Sequence, residues 1–274
     1  MAPDMDVHPT TAGPPAATVK LGSTDVAAVR AIQERLNAVG CGPIAVDGDF
    51  GTETARAVRL FQARFTDRDQ LPLKIDGEVG PLTWHALMGT SAAPSAAPPS
   101  VIADPLLAEV LAIAAKQIGV MEDPLGSNRG QEVDAFLRAA GVDPTTGSYP
   151  WCAAFVYWCF AEACRSLACP NPVPRTAGVM EHWRKAGLRG IRRISARDAV
   201  ETPSVVAGGL VFVISTGAGT GHTGLVERVT GGKLLTIEGN TNDGGAREGI
   251  GVFRREKRKI GDINVGFLDY SGSR

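Results

Sequence analysis

Apolar residues return at helical spacing through most of the chain and at strand spacing near its end. Val26, Val29, Ile32, Leu36 and Val39 form the stripe of a helix predicted from about Ser23 to Val39, with Gly40 as its stop. A second helix carries Val58, Phe61 and Phe65, and a third carries Leu82, Trp84 and Leu87. Asp104 before Pro105 reads as an N-cap and first helical residue, opening a stripe of Leu107, Val110, Leu111, Ala114 and Ile118. Further helices are predicted from about Gln131 to Ala140, from Cys152 onward, and from about Thr176 to Ala186, after the Pro-rich crossing Pro170 to Pro174. From Gly208 the period falls to two, predicting strands over Leu210 to Ser215, His222 to Thr230, Leu234 to Gly239, Gly251 to Arg255 and Val265 to Tyr270. Helices followed by an antiparallel sheet make the larger part α+β, preceded by a small all-α three-helix unit.

The run Ser-Ala-Ala-Pro-Ser-Ala-Ala-Pro-Pro-Ser over residues 91–100 separates the two parts, because repeated proline among small residues favours an extended spacer. The predicted organisation is a disordered Pro/Thr/Ala arm over 1–17, a three-helix module over 18–90, a linker over 91–103 and a larger domain over 104–274. Met1 to Ala17 has no Lys, no Arg and no apolar run, and so does not read as a secretory signal peptide. The longest apolar stretch, Val205 to Ile214, is about half the length of a spanning helix, so no membrane anchor is expected.

The small module repeats itself. Val46-Asp47-Gly48-Asp49-Phe50-Gly51 with Thr54 recurs as Ile75-Asp76-Gly77-Glu78-Val79-Gly80 with Thr83. In each copy Asp-Gly supplies a turn, and the second glycine precedes a helix start, with Thr52 as N-cap in the first and Pro81 as first helical residue in the second. These motifs, together with Phe61-Gln62 and Trp84, resemble the bacterial peptidoglycan-binding domain found on wall hydrolases. The residues themselves are turns and caps of a bundle; the resemblance supplies peptidoglycan as the expected partner.

Charge removes one class of function. A formal net charge of −1 gives no general attraction to nucleic acid, and none is expected as a partner. The local exception, Arg254-Arg255-Glu256-Lys257-Arg258-Lys259, reads as a solvated strand edge before it reads as a contact for an anionic polymer. Five cysteines leave at least one free thiol in a monomer, and the spacing of Cys152, Cys159, Cys164 and Cys169 matches no paired zinc motif. Cys164 and Cys169 are close enough in sequence for a local disulfide, which the sequence does not decide.

Candidate chemistry begins at Cys152. It follows Tyr149-Pro150-Trp151 and opens a buried helix, where unpaired N–H groups and the helix dipole favour negative charge on sulfur. Taken alone it reads as packing, since free cysteine is among the most buried residue types. Of four histidines, His8 lies in the arm, His85 in the small module and His182 in an amphipathic helix; each reads as a surface or satisfied residue. His222 stands where the glycine-rich Gly217-Ala218-Gly219-Thr220-Gly221 enters a strand, with a side chain able to take and return a proton near neutrality. On the next strand Glu238 interrupts an apolar run, and burying it demands a partner such as an imidazolium. Glu238 accepting the second ring N–H, with Asn240 orienting the same ring, completes the constellation.

Strand parity tests this. A clean two-residue hairpin at Gly231-Gly232 sets Leu225 opposite Glu238 and turns His222 to the other face. A three-residue loop or one β-bulge sets His222 near Asn240 and Gly224 beside Glu238, so an odd loop or a bulge is predicted.

Trp151-Cys152-x-x-Phe155-Val156, Gly221-His222-Thr223-Gly224-Leu225-Val226-Glu227 and Ile237-Glu238-Gly239-Asn240 together resemble the cysteine, histidine-dependent amidohydrolase/peptidase (CHAP) family, a papain-like group of cell-wall hydrolases. The resemblance spans about residues 104–270. It implies that Cys152 attacks, that His222 is base and then acid, and that Glu238 and Asn240 position His222. Some relatives bind calcium through acids before the cysteine; Val142 to Tyr149 lacks the paired acids, so no metal and no cofactor is expected. The resemblance favours an N-acetylmuramoyl-L-alanine amidase; a peptidoglycan endopeptidase and a non-catalytic wall-binding protein with a degenerate domain are the alternatives. Synthesis in the cytoplasm followed by action in the periplasm or wall implies release as a phage endolysin or delivery as an antibacterial effector, the latter with export machinery and an immunity protein as partners.

Overall fold

The computed structural model describes residues 15–68, 73–89, 102–217, 219–241 and 249–273. Most of the predicted arm and of the predicted spacer lies outside these residues. The chain divides into two compact units, residues 1–97 and 98–274.

In the first unit, helices α1 (Val26–Ala38), α2 (Thr52–Arg64) and α3 (Pro81–Met88) close on a core of Val29, Ile32, Leu36, Phe50, Val58, Phe61, Trp84 and Leu87. The α1 stripe differs from expectation at two places: Val26 is 54% exposed in the first turn, and Gln33 is buried. The reason is the internal repeat. Gln33 donates to Asp47 Oδ1 (2.8 Å), the Asp49 carbonyl (2.9 Å) and Thr54 Oγ1 (3.1 Å), and accepts from the Gly48 N–H (2.9 Å). Gln62 repeats this with Asp76 Oδ1 (2.9 Å), the Glu78 carbonyl (2.9 Å), Thr83 Oγ1 (3.3 Å) and the Gly77 N–H (2.9 Å). Each Asp-Gly turn is thus folded around a buried amide whose donors and acceptor are satisfied, which is the condition for burying it at all. Gly48 and Gly77 take the positive φ expected of them. One cap is corrected: Gly51 is the N-cap of α2 and Thr52 its first helical residue, so the two copies start their helices alike.

The second unit packs α4 (Pro105–Lys116), α5 (Gln131–Ala139), α6 (Cys152–Ser166), α7 (Val179–Leu188) and the short α8 (Ala196–Glu201) around one antiparallel sheet. Asp104 caps α4 as expected, accepting from the Leu106 and Leu107 N–H groups. The strands are β1 (Arg192–Ser195), β2 (Val211–Gly217), β3 (Thr220–Thr230), β4 (Lys233–Thr241), β5 (Gly251–Lys259) and β6 (Gly266–Asp269), in the order β1-β6-β2-β3-β4-β5. The α+β arrangement is therefore the one its periodicity implies. β1 and α8 were not expected, because Arg192-Arg193-Ile194-Ser195 is too short and too charged to show alternation; it pairs with β6 and buries only Ile194. β5 runs four residues past its predicted end, through the basic run. Gly119–Glu122 lies beside its start, with Gly119 N–H to the Val252 carbonyl and Glu122 N–H to the Ile250 carbonyl at 2.9 and 2.8 Å.

Two irregularities in this sheet decide what faces what. The β3–β4 hairpin turns on Gly231-Gly232, both at positive φ, with Thr230 opposite Lys233. That is the simple two-residue turn, but after three pairs the register slips: Arg228 faces Leu235 whereas Val226 faces Thr236, leaving Glu227 as an extra residue. A second slip lies between β4 and β5, where Leu234 faces Arg258 but Thr236 faces Arg255.

Candidate active site

The first bulge restores the parity that the turn alone would break. Beyond it Leu225 faces Ile237, so Gly224 falls beside Glu238 and His222 shares the Glu238 face. The two side chains meet: His222 Nε2 lies 2.7 Å from Glu238 Oε2. Gly224 is needed there, because a Cβ on it would stand 2.9 Å from Glu238 Cγ, from the Ile237 carbonyl oxygen and from Phe212 Cε1.

Cys152 is the first residue of α6 and Trp151 is its N-cap. The helix start is fixed from two sides. The Trp151 indole N–H donates to Glu122 Oε1 at 2.8 Å, and Glu122 also accepts the Asn128 N–H at 3.1 Å. Asn240, at φ 52°, accepts the Trp151 backbone N–H at 2.8 Å and donates to the Gly249 carbonyl at 3.2 Å with its amide oriented to satisfy both. Asn240 is thus bonded to the helix that carries Cys152, and among the described residues no hydrogen bond joins its amide to the His222 ring, whose Nε2 is held by Glu238. Glu122 had no sequence signal beyond the need of a buried tryptophan for an acceptor.

Cys152, at the start of α6, acts on His222 and favours the charged imidazolium. With Nε2 occupied by Glu238, Nδ1 is the ring nitrogen left for sulfur. Burial alone would lower the pKa of His222, but the action of Cys152 and Glu238 on the imidazole outweighs it and raises it to about 9. Glu238 is fully buried, which by itself would raise its pKa; Arg258 and His222 overcome this and hold the carboxyl far below its ordinary range. Arg258 Nε and Nη2 reach Glu238 Oε1 and Oε2 at 2.5 and 2.7 Å, and the Thr236 hydroxyl donates to Oε1 at 2.6 Å. The Arg258 guanidinium also sits 5.0 Å over the Phe212 ring.

Arg258 comes from the basic run expected to be solvated. The run does lie on an edge strand, and Glu256 and Lys259 are exposed, but Arg254 forks onto Glu227 at 2.7 and 2.9 Å and Arg258 is turned inward onto Glu238 by the second bulge. His182 is buried and bonded to the Tyr270 hydroxyl at 2.7 Å, His85 is exposed, and His8 lies outside the described residues. All five cysteines are thiols. Burial pushes the thiol of Cys41 up to about 11, that of Cys164 up to about 12 and that of Cys159 well above its ordinary value. Asp143 caps the turn at Pro144–Thr146 through the Thr145 N–H. Among the described residues no three His, Cys, Asp or Glu side chains converge as a metal site, and no helix is long and apolar enough to cross a membrane.

These shifts predict a pH signature. Folded His222 binds its proton more tightly than its ordinary value of 6.5, so its contribution to stability is complete below about pH 6.5 and is lost as pH rises through about 9. Glu238 has the opposite sign, contributing above the ordinary carboxylate range and losing that contribution as pH falls. The gap in melting temperature between wild type and His222→Ala should therefore narrow between about pH 6 and about pH 9.5. A gap that stays constant in thermal melts across that range contradicts the coupling.

Comparison with known proteins agrees with the two units. The model of the putative peptidoglycan binding domain matches residues 25–87, and that of the CHAP domain matches residues 144–240. No curated protein and no solved structure matches the chain significantly. A CHAP domain points to peptidoglycan hydrolase activity, as amidase or endopeptidase. The chain therefore carries a peptidoglycan-binding domain followed by a CHAP domain.

Proposed function

We propose that this protein cleaves the N-acetylmuramoyl-L-alanine amide of peptidoglycan with Cys152 as nucleophile. The observation that carries the reading is His222 held at Nε2 by a buried, ionised Glu238, with Cys152 acting on the same imidazole from the start of α6. In this mechanism His222 Nδ1 holds the thiol proton while sulfur attacks the amide carbonyl carbon. Charge develops on the carbonyl oxygen, and the Cys152 N–H, a first-turn donor with no intrahelical acceptor, is placed to receive it. Collapse breaks the C–N bond, and His222 gives the proton to the leaving amine. Water, deprotonated by His222, then hydrolyses the thioester and returns the thiol. Glu238 stabilises the imidazolium at each stage and fixes the ring tautomer.

The binding domain contributes by holding the polymer, so the tethered site meets its amide at a raised local concentration. Action then takes place in the periplasm or wall, where that polymer is. The product test is mass spectrometry of purified peptidoglycan after digestion. The amidase reading predicts free stem peptides beginning with L-alanine and glycan chains without peptide. New amino termini within the stem or cross-link would replace it by the endopeptidase reading, and no released fragment would leave a non-catalytic wall-binding protein.

Because the Gly224 position is filled by Glu238, Gly224→Ala should displace the carboxylate and lower turnover on purified walls by about tenfold to a hundredfold, the cost of a misplacement near 1 Å. Turnover equal to wild type would mean that the Glu238 placement is not needed.

A further inference from the structure

Glu238 has more partners than a histidine-orienting carboxylate requires. His222 approaches it from β3 at Oε2, Thr236 from its own strand at Oε1, and Arg258 from β5 at both oxygens. Beyond Arg258 stands Asp262, and beyond His222 stands Cys152 on α6. Arg258 can reach this place only because of the β4–β5 slip. With Thr236 opposite Arg255, an unbroken ladder sets Lys257 opposite Leu234 and sends Arg258 to the other face; the extra residue sets Arg258 opposite Leu234, on the Glu238 face. A charged side chain is thus turned into the sheet by a local break in regular pairing, where it stacks on Phe212, which itself lies beside the His222 ring at 6.0 Å.

We propose that Arg258 is a positioning residue of the cysteine site: its guanidinium fork clamps both oxygens of Glu238 so that Oε2 stays on His222 Nε2 through the proton transfers. A bidentate guanidinium–carboxylate pair fixes the plane of the carboxylate as well as its place, which a single hydrogen bond does not. Without the clamp only Thr236 and His222 hold the carboxylate, and rotation about its terminal bond short of a half turn takes the acceptor off the imidazole. The pair also carries a charge role. Arg258 keeps Glu238 ionised at low pH, so the site retains its acceptor where an unassisted buried carboxylate would take up a proton.

This inference rests on the hydrolase reading, and the test separates the two. Arg258→Gln is expected to lower kcat on purified peptidoglycan by about tenfold or more with KM little changed, in line with loss of orientation of a catalytic group. Its kcat/KM profile should lose activity at higher pH on the acid side, by about one unit. Arg258→Lys keeps the charge and loses the fork, so it should restore the acid limb while kcat stays several-fold low. Lys259→Gln removes the same charge one residue away from an exposed position and should leave both unchanged. Wild-type kcat and acid limb in Arg258→Gln overturn the proposal, as does wild-type kcat in Arg258→Lys, which also serves if the glutamine variant does not fold. Should the wild-type chain release nothing from walls, the hydrolase reading falls alone. The His222 Nε2–H resonance of protein labelled with 15N-histidine then decides: moved or broadened by Arg258→Lys, the clamp stands; identical in both, it does not.

Discussion

Cys152→Ala should abolish wall digestion, lowering turnover by on the order of a thousandfold or more, while the protein keeps its fold and its binding to peptidoglycan. The size follows from the role: removal of a nucleophile leaves only the orienting and binding groups to act. Preservation of the fold follows from the site. Cys152 Sγ is one atom at the first position of α6, and the helix start is held by Trp151 through Glu122 and Asn240, none of which is touched. The nearest thiol on the same helix is no substitute. Cys159 lies two turns along the same helix, wholly buried, and burial holds its thiol well above the ordinary range. Release of soluble fragments from purified walls measures activity, and pelleting with the same walls measures binding. Digestion by Cys152→Ala at the wild-type rate would refute the cysteine mechanism.

Glu238→Ala should be costly twice over. Activity falls because His222 loses the acceptor that fixes its tautomer and balances its charge; about a hundredfold or more is the expected loss, on the precedent of the carboxylate in such triads. Stability falls as well. The substitution leaves the Arg258 guanidinium inside the sheet against Phe212 without its carboxylate, and breaking such a pair from one side costs on the order of 3 kcal/mol. The two losses come apart in the double variant Glu238→Ala, Arg258→Met, which removes both charges. Denaturant melts should show it recovering most of the stability while remaining inactive. If Glu238→Ala is as stable as wild type, the pair contributes nothing to the fold and the charge argument fails.

Much of this site was legible in the sequence because each piece carries a local pattern. Cys152 announces itself by Pro150 and the apolar run that follows, His222 by the glycines before it, and Glu238 by its intrusion into an apolar strand. The need for a bulge was legible too, since Gly231-Gly232 fixes the tip of the hairpin and parity then forbids His222 and Glu238 from meeting without one; the location of the extra residue at Glu227 was not. Arg258 stayed hidden for a physical reason. In Arg254 to Lys259 every second residue can be read as solvent-facing, and only the slip between β4 and β5, set by pairing partners far along the chain, decides which arginine turns inward. The bond from the Trp151 N–H to Asn240 was not legible, because nothing in the alternation of the strand foretells the positive φ at Asn240. Gln33 escaped the α1 stripe because a buried amide breaks an apolar period, and its purpose appears only when it is set beside Gln62 in the second copy.

The central claim is that the bulged hairpin makes Cys152 a nucleophile by bringing His222 against it. Alkylation by iodoacetamide near neutral pH, followed by peptide mapping, tests this without any assumption about substrate. Cys152 should be modified rapidly and ahead of Cys41, Cys159 and Cys164, whose thiols burial holds up, and His222→Ala should slow it by about tenfold or more. A Cys152 that reacts no faster than Cys159, or at the same rate with and without His222, would contradict the account.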